Sequence, residues 1–209
     1  MSISQLATLS SVPIAVICLF ISLRAFYIYN LSRSDMIFVL GLAMAVISGG
    51  TFFGLIGELH LGGNTLSTDW ARSCGAYCGG IFIFLSSLVR SHEQMRQLKR
   101  WQIIATALFI VVVLFTPLYP PIKSPLLSFI LNAIRMLIYS CAFIRYALLY
   151  LSKSTSFSLI MSISFLVLVI GYALNIPGIF QVQLAAFTIL AATVRISAYI
   201  SLVVAYSIR

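Results

Sequence analysis

The chain has 209 residues, of which 61% are hydrophobic and 8% charged, with a mean hydropathy of +1.09. Soluble domains carry roughly 25% charged residues, and a core of this size could not hide so much apolar surface from water. The net charge of +9 is spread among short connections, which excludes a basic nucleic-acid face and fits anionic lipid headgroups.

A spanning helix needs about 20 apolar residues. Seven stretches qualify: 6–30, 36–58, 70–90, 101–119, 126–151, 155–175 and 183–206. Lipid offers no partners for open backbone groups, so these are expected to be helices. No alternation of the β-barrel kind is visible. The expected fold is an all-α, seven-helix transmembrane bundle forming one domain, 1–209. The start, Met1-Ser2-Ile3-Ser4-Gln5, has no positive segment, so no cleaved signal is expected.

Charge sets the expected orientation. Alternate connections carry Arg24 and Arg33, then Arg90, Arg96, Lys99 and Arg100, then Arg145 and Lys153, then Arg209. The other connections carry only Arg72 and Lys123. Cytoplasmic loops are rich in Lys and Arg, so the N-terminus is expected outside and the C-terminus inside. The polar run 90–100 then forms a basic inner-face loop. Trp70 and Trp101 open their spans, where indole rings favour the interface, and Phe26, Tyr27 and Tyr29 read as an aromatic belt. On the outer side, 60–69 is Gly- and Ser/Thr-rich, 117–125 is proline-rich and stiff, and Asn175 to Gly178 is a turn signal.

A weak internal repeat is legible. Arg24 pairs with Arg145, Arg33 with Lys153, Gly50 with Gly171 and Arg90 with Arg209, at offsets of 119 to 121 residues. Spans one to three and five to seven then form parallel copies around the fourth, a 3+1+3 layout.

Arg195 is the sharpest candidate. It lies near the middle of the last span, where an arginine costs at least ~2.5–3.5 kcal/mol to insert. Arg135 lies about ten residues into the fifth span, and Arg72 opens the third. Glu58 ends the second, with His60 just beyond. Together these five suit a net positive pocket open to the outside, for a small polar or anionic ligand. The plainer alternative is an internal ion-pair network, in which one carboxylate cannot offset both deep arginines.

Gly50 and Gly54, and Gly75 and Gly79, make two GxxxG patterns suited to close helix packing. Cys74 and Cys78 share a helix face beside them, and read as packing rather than a redox pair. The only histidines, His60 and His92, fall on opposite sides, so no His-based metal or haem site is expected. The last span has no lysine for a retinal Schiff base, and no catalytic constellation or cofactor motif is visible. The chain reads as a non-enzyme.

The Arg-ended first span, the Gly57-Glu58-Leu59 end of the second, and Asp69-Trp70 opening a Gly-containing third resemble the seven-helix sensor region that precedes the kinase in some bacterial histidine kinases. The resemblance implies a sensor in a prokaryotic cell membrane. No kinase or coiled coil follows within the sequence, so signal would pass to a separate protein partner or a second copy. Helix count and the 3+1+3 pattern also resemble sugar-type uniporters, without the proline-glutamine pair those carry. A small-solute transporter is therefore the second expectation.

Overall fold

The computed structural model describes residues 3–60, 68–89, 91–115, 124–179 and 185–208. The described chain is all-helical: α1 (Ile3–Ser32), α2 (Asp35–His60), α3 (Thr68–Leu88), α4 (His92–Phe115), α5 (Pro125–Lys153), α6 (Ser156–Ala173), the short α7 (Ile176–Ile179) and α8 (Ala185–Ile208). Six of these helices are long and apolar enough to cross a membrane. The protein is a multi-pass integral membrane protein. The long helix outside that set is α3, which carries Arg72, Ser73 and the three glycines Gly75, Gly79 and Gly80.

Packing follows membrane logic. Leu23, Leu31, Leu108, Leu114, Leu137 and Leu151 are all more than half exposed, whereas Ser48, Thr51, Ser86, Ser162 and Ser164 are buried. Large apolar groups outside and small polar ones inside is the arrangement lipid favours. The buried hydroxyls stay within reach of backbone carbonyls: Thr51 donates to Ile47 O at 2.8 Å, and Ser164 to Ile160 O at 2.8 Å. Ser48 reaches across to Ala15 O at 2.8 Å, fastening α2 to α1.

Helix starts and stops have local causes. α5 opens with Ser124, whose hydroxyl accepts from Leu127 N, followed by Pro125 at the first helical position. The start of α4 differs from the expected 101. The polar run 92–100 is helical, not loop. Ser91 Oγ accepts from Gln94 N at 3.2 Å, and Glu93 sits in the first turn. A Ser followed three residues later by Gln is a capping signal, so charge density alone was a poor guide to where the helix began. The turn expected at 175–178 is partly helical, as α7.

The helices fall into two compact units: Ala15–Pro121, and Ile122–Arg209 with Met1–Ile14. In the first, α2 packs closely on α3. A methyl on Gly50 would meet Ala71 O at 2.7 Å and Gly75 Cα at 3.1 Å. One on Gly75 would meet Val46 O at 2.8 Å, and one on Gly79 would strike Ile47 and Ala43 O. α4 lies against both, with Phe109 and Val113 packed on Val46 and Ala71. In the second unit, α6 packs between α5 and α8.

Backbone features recur between the units at constant spacing. Arg33 closes α1 with φ 54°, and Ser154 closes α5 with φ 47°. Each sends its N–H back to a tyrosine carbonyl at 2.7 Å: Tyr29 for Arg33 and Tyr150 for Ser154. The following residue then accepts from the residue four further on, Phe38 N to Ser34 O and Leu159 N to Thr155 O, both at 3.2 Å.

Candidate functional site

Heptad spacing builds the centre of the second unit. Tyr139 and Tyr146 lie two turns apart on α5, and Phe165 and Tyr172 two turns apart on α6, so each pair shares a helix face. The rings interleave. Tyr172 stacks on Tyr139 (centroids 5.6 Å apart, 20° between planes), Tyr139 on Phe165 (6.0 Å, 22°) and Phe165 on Tyr146 (5.7 Å, 19°). Phe157 continues the line edge-on, from Tyr146 at 6.4 Å to Tyr206 of α8 at 6.4 Å. All these rings but Phe157 are buried.

One end of this ladder carries charge. The Arg135 guanidinium lies 5.8 Å from the Tyr172 ring centre, and that of Arg195 lies 5.6 Å from it. Both distances are within cation–π range, worth about 0.5–2 kcal/mol each depending on desolvation. Three helices thus bring two half-buried guanidinium groups to one phenol ring. Arg195 Nε donates to Ala191 O at 3.1 Å, one turn back on its own helix. Asn132, buried on α5, donates through Nδ2 to Tyr172 O at 3.0 Å and fixes the backbone that carries the ring.

Gly171 makes this approach feasible. A methyl there would stand 2.6 Å from Arg195 Cγ and 3.4 Å from Arg195 N. The first unit holds a related arrangement. A methyl on Gly54 of α2 would stand 2.8 Å from Arg72 Nε and 2.9 Å from Nη2. In each unit an arginine lies over a glycine of a neighbouring helix: Arg195 of α8 over Gly171 of α6, and Arg72 of α3 over Gly54 of α2.

α6 ends at Ala173, one residue after Tyr172. Counting 1.5 Å per residue, the ring sits about 24 Å along α6 from Ser156. Arg195, central in its own helix by count, therefore meets α6 at its last turn. A helix C-terminus carries roughly −0.5 of a charge, against two full positive charges. No Asp or Glu follows Glu93 in the sequence, and none precedes Asp35, so this unit contains no acidic side chain at all.

Of the five residues expected to form one pocket, Arg135 and Arg195 come together. Arg72 belongs to the first unit. Glu58 and His60 lie in α2, their side chains outside the described residues. The connections 61–67 and 116–123, expected on the outer side, and Arg90 and Arg209 also lie outside the described residues. Of the basic run, Arg96 and Arg100 are exposed. Lys99 instead turns inward, pairing with Asp35 Oδ1 at 2.6 Å and donating to Tyr29 OH at 3.0 Å. It lies 4.6 Å from the Phe38 ring centre and 4.9 Å from that of Tyr29. Tyr29 and Phe26 thus pack on Phe38, while Tyr27 is 67% exposed. Cys74 and Cys78 lie against the α2–α3–α4 cluster of Val46, Ala71, Phe109 and Val113.

Sequence reading missed Tyr172, Asn132 and the ring ladder. The signal was present: paired aromatics at heptad spacing on two consecutive helices, one of them beside Gly171. No family model, curated protein or solved structure matches the chain.

Proposed function

We propose that the protein is a non-enzymatic, membrane-embedded ligand-binding module, with its site at the charged end of the aromatic ladder. The observation that carries the reading is the convergence of Arg135 and Arg195 on Tyr172. Two guanidinium groups gathered inside a bundle suit an anionic or strongly polar ligand. With the basic connections inside, the site faces outward, near the outer end of α6.

A sensor follows from what the ladder connects. Its far end is Tyr206 of α8, with Phe157 beside the α5–α6 connection. A rigid row of rings gives ligand binding at Tyr172 a route to the basic face, where a separate protein or a second copy would read it. The expected test is response to ligand in Arg135→Ala and Arg195→Ala variants that still insert in the membrane. Loss in both supports the site; unchanged response in both removes it.

Transport is the second reading, favoured by the spacing of buried positions. Leu40, Ala43, Met44, Ile47 and Gly50 of α2 are buried, and so are Met161, Ser164, Phe165, Leu168 and Gly171 of α6, each 121 residues later. Gly79, Ile83 and Ser86 of α3 match Ala198, Leu202 and Ala205 of α8 in the same way, at 119. With the matching α1–α2 and α5–α6 connections, this supports parallel repeats α1–α3 and α5–α8 with α4 between them, a plan that small-solute carriers use. It also implies that α3 crosses the membrane, as α8 does. Flux separates the readings: a carrier moves solute in liposomes holding this protein alone, and a sensor does not.

A further inference from the structure

We propose that the exposed face of α4 binds an anionic phospholipid, with the lipid phosphate on Arg96 and Arg100. α4 belongs to the first unit, so the assignment stands whether or not the Tyr172 site takes a ligand. On α4, Leu98, Gln102, Phe109 and Val113 are buried. Gln102 Nε2 donates to Val39 O of α2 at 2.8 Å, and Phe109 and Val113 pack on Val46 and Ala71. The opposite face is open. Arg96, Ile103 and Ile110 lie two turns apart along it, and Arg100 and Leu114 four turns apart. Both arginines are exposed, and Ile103, Ile110 and Leu114 are 47%, 54% and 70% exposed. One face is therefore charged at its start and apolar from there on.

Length and charge fit one lipid molecule. Ile103 to Leu114 covers about 16 Å along the helix, close to half of a hydrocarbon core that is about 30 Å thick. Arg100 stands one turn before Ile103 and Arg96 one turn before that, at the level of a phosphate. Side chains four residues apart on a helix are about 5–6 Å apart at Cβ. Both guanidinium forks therefore reach one phosphate, whose oxygens match their geometry. Lys99 is engaged by Asp35 and takes no part. Glu93 shares the face but stands about 10 Å farther along the helix than Arg100, in the first turn, where a carboxylate complements the helix dipole. Trp101, 66% exposed beside Arg100, marks the boundary, since indole rings favour the interface. A headgroup with net negative charge complements the two arginines, whereas a zwitterionic one brings them a cation of its own.

The test uses the whole chain with Trp70→Phe, which leaves Trp101 as the sole tryptophan, reconstituted in vesicles. Phospholipids brominated in their acyl chains quench a tryptophan that they touch. Brominated phosphatidylglycerol in a phosphatidylcholine background is expected to quench Trp101 at a mole fraction at least threefold lower than brominated phosphatidylcholine in a phosphatidylglycerol background. Arg96→Gln and Arg100→Gln are each expected to reduce that preference by half or more. Lys153→Gln, which removes an exposed charge from the other unit, is expected to leave it unchanged. Equal quenching by the two lipids overturns the proposal. So does an equal loss in Lys153→Gln, which would make the attraction a property of net charge. Absence of quenching by either lipid shows that protein, such as a second copy of the chain, covers the face, and overturns it too. Suppression of the preference by millimolar inorganic phosphate, but not by chloride of equal ionic strength, assigns the arginines to a soluble anion instead. Native mass spectrometry of the unsubstituted protein, offered both lipids in equal amounts, keeps the test decisive if a variant fails to fold. At least threefold greater retention of phosphatidylglycerol is expected there, and equal retention overturns the proposal.

Discussion

Arg33 and Ser154 are the two non-glycine residues with left-handed backbone among the described residues, and they lie 121 positions apart. Each ends a first helix, and each returns its N–H to a tyrosine carbonyl at the same distance. The left-handed region costs a residue with a Cβ roughly 1–2 kcal/mol, and glycine is its usual occupant at helix ends. Arg33→Gly and Ser154→Gly are therefore each expected to stabilise the protein by up to about 1 kcal/mol. Arg33→Val and Ser154→Val are expected to destabilise it by more than that. Thermal unfolding in detergent reads both pairs; opposite signs at the two positions would break their equivalence.

Neighbouring glycines on α2 give a matched contrast. A methyl at Gly50 would press on Ala71 O and Gly75, whereas one at Gly49 meets only Phe109 at 3.8 Å, an ordinary contact. Gly50→Ala should cost about 1–3 kcal/mol by forcing α2 and α3 apart. Gly49→Ala should change stability by less than about 0.5 kcal/mol. Equal losses would mean that the α2–α3 contact is looser than drawn.

Gly171→Ala tests the seat of Arg195. The clash is with the flexible Arg195 stem, the nearest backbone atom standing at 3.4 Å, so the fold should survive and the guanidinium should move. Affinity for the ligand of the proposed site is expected to fall about tenfold, near 1.4 kcal/mol. A lowered thermal midpoint with unchanged affinity would make Gly171 a packing residue only.

The Lys99–Asp35 pair ties α4 to α2 beside two rings. Its side chains are 22% and 32% exposed, so the attraction is partly screened. A double-mutant cycle with Lys99→Met and Asp35→Asn should give a coupling of about 1 kcal/mol, smaller at high salt. Lys99→Met should also lose cation–π attraction to Phe38 and Tyr29, about 0.5–1 kcal/mol. A coupling of zero would leave the pair without a stabilising role.

Apolar run length and loop charge were enough to mark the seven long helices, because lipid imposes both. All but one began or ended within a few residues of expectation. The start of α4 was not legible from hydropathy, since Ser91 and Gln94 begin a polar helix that hydropathy reads as loop. The candidate site was half legible. Arg135 and Arg195 stand out because charge is rare at such positions. Their meeting ring did not, since a tyrosine in an apolar run looks like any other until a second helix places it. Lys99 was misleading in the opposite sense: charge count assigned it to a solvated face, and packing gave it Asp35. The repeat expected from the sequence pairs different residues at its first connection than the left-handed helix ends do. The basic side chains pair Arg33 with Lys153, whereas the positive-φ positions are Arg33 and Ser154.

The central claim is an outward-facing site in a chain whose seven long helices all cross the membrane. Ser34 and Ser154 follow and end the α1 and α5 turns, separated by α2, α3, α4 and α5. Single Ser34→Cys and Ser154→Cys variants can be labelled with a membrane-impermeant maleimide in vesicles of known orientation. Labelling of both from the cytoplasmic side is the predicted result. Labelling from opposite sides would show that an odd number of the helices α2–α5 cross, α3 being the one outside the apolar set, and would contradict the seven-span sidedness, the repeat and the outward-facing site at once.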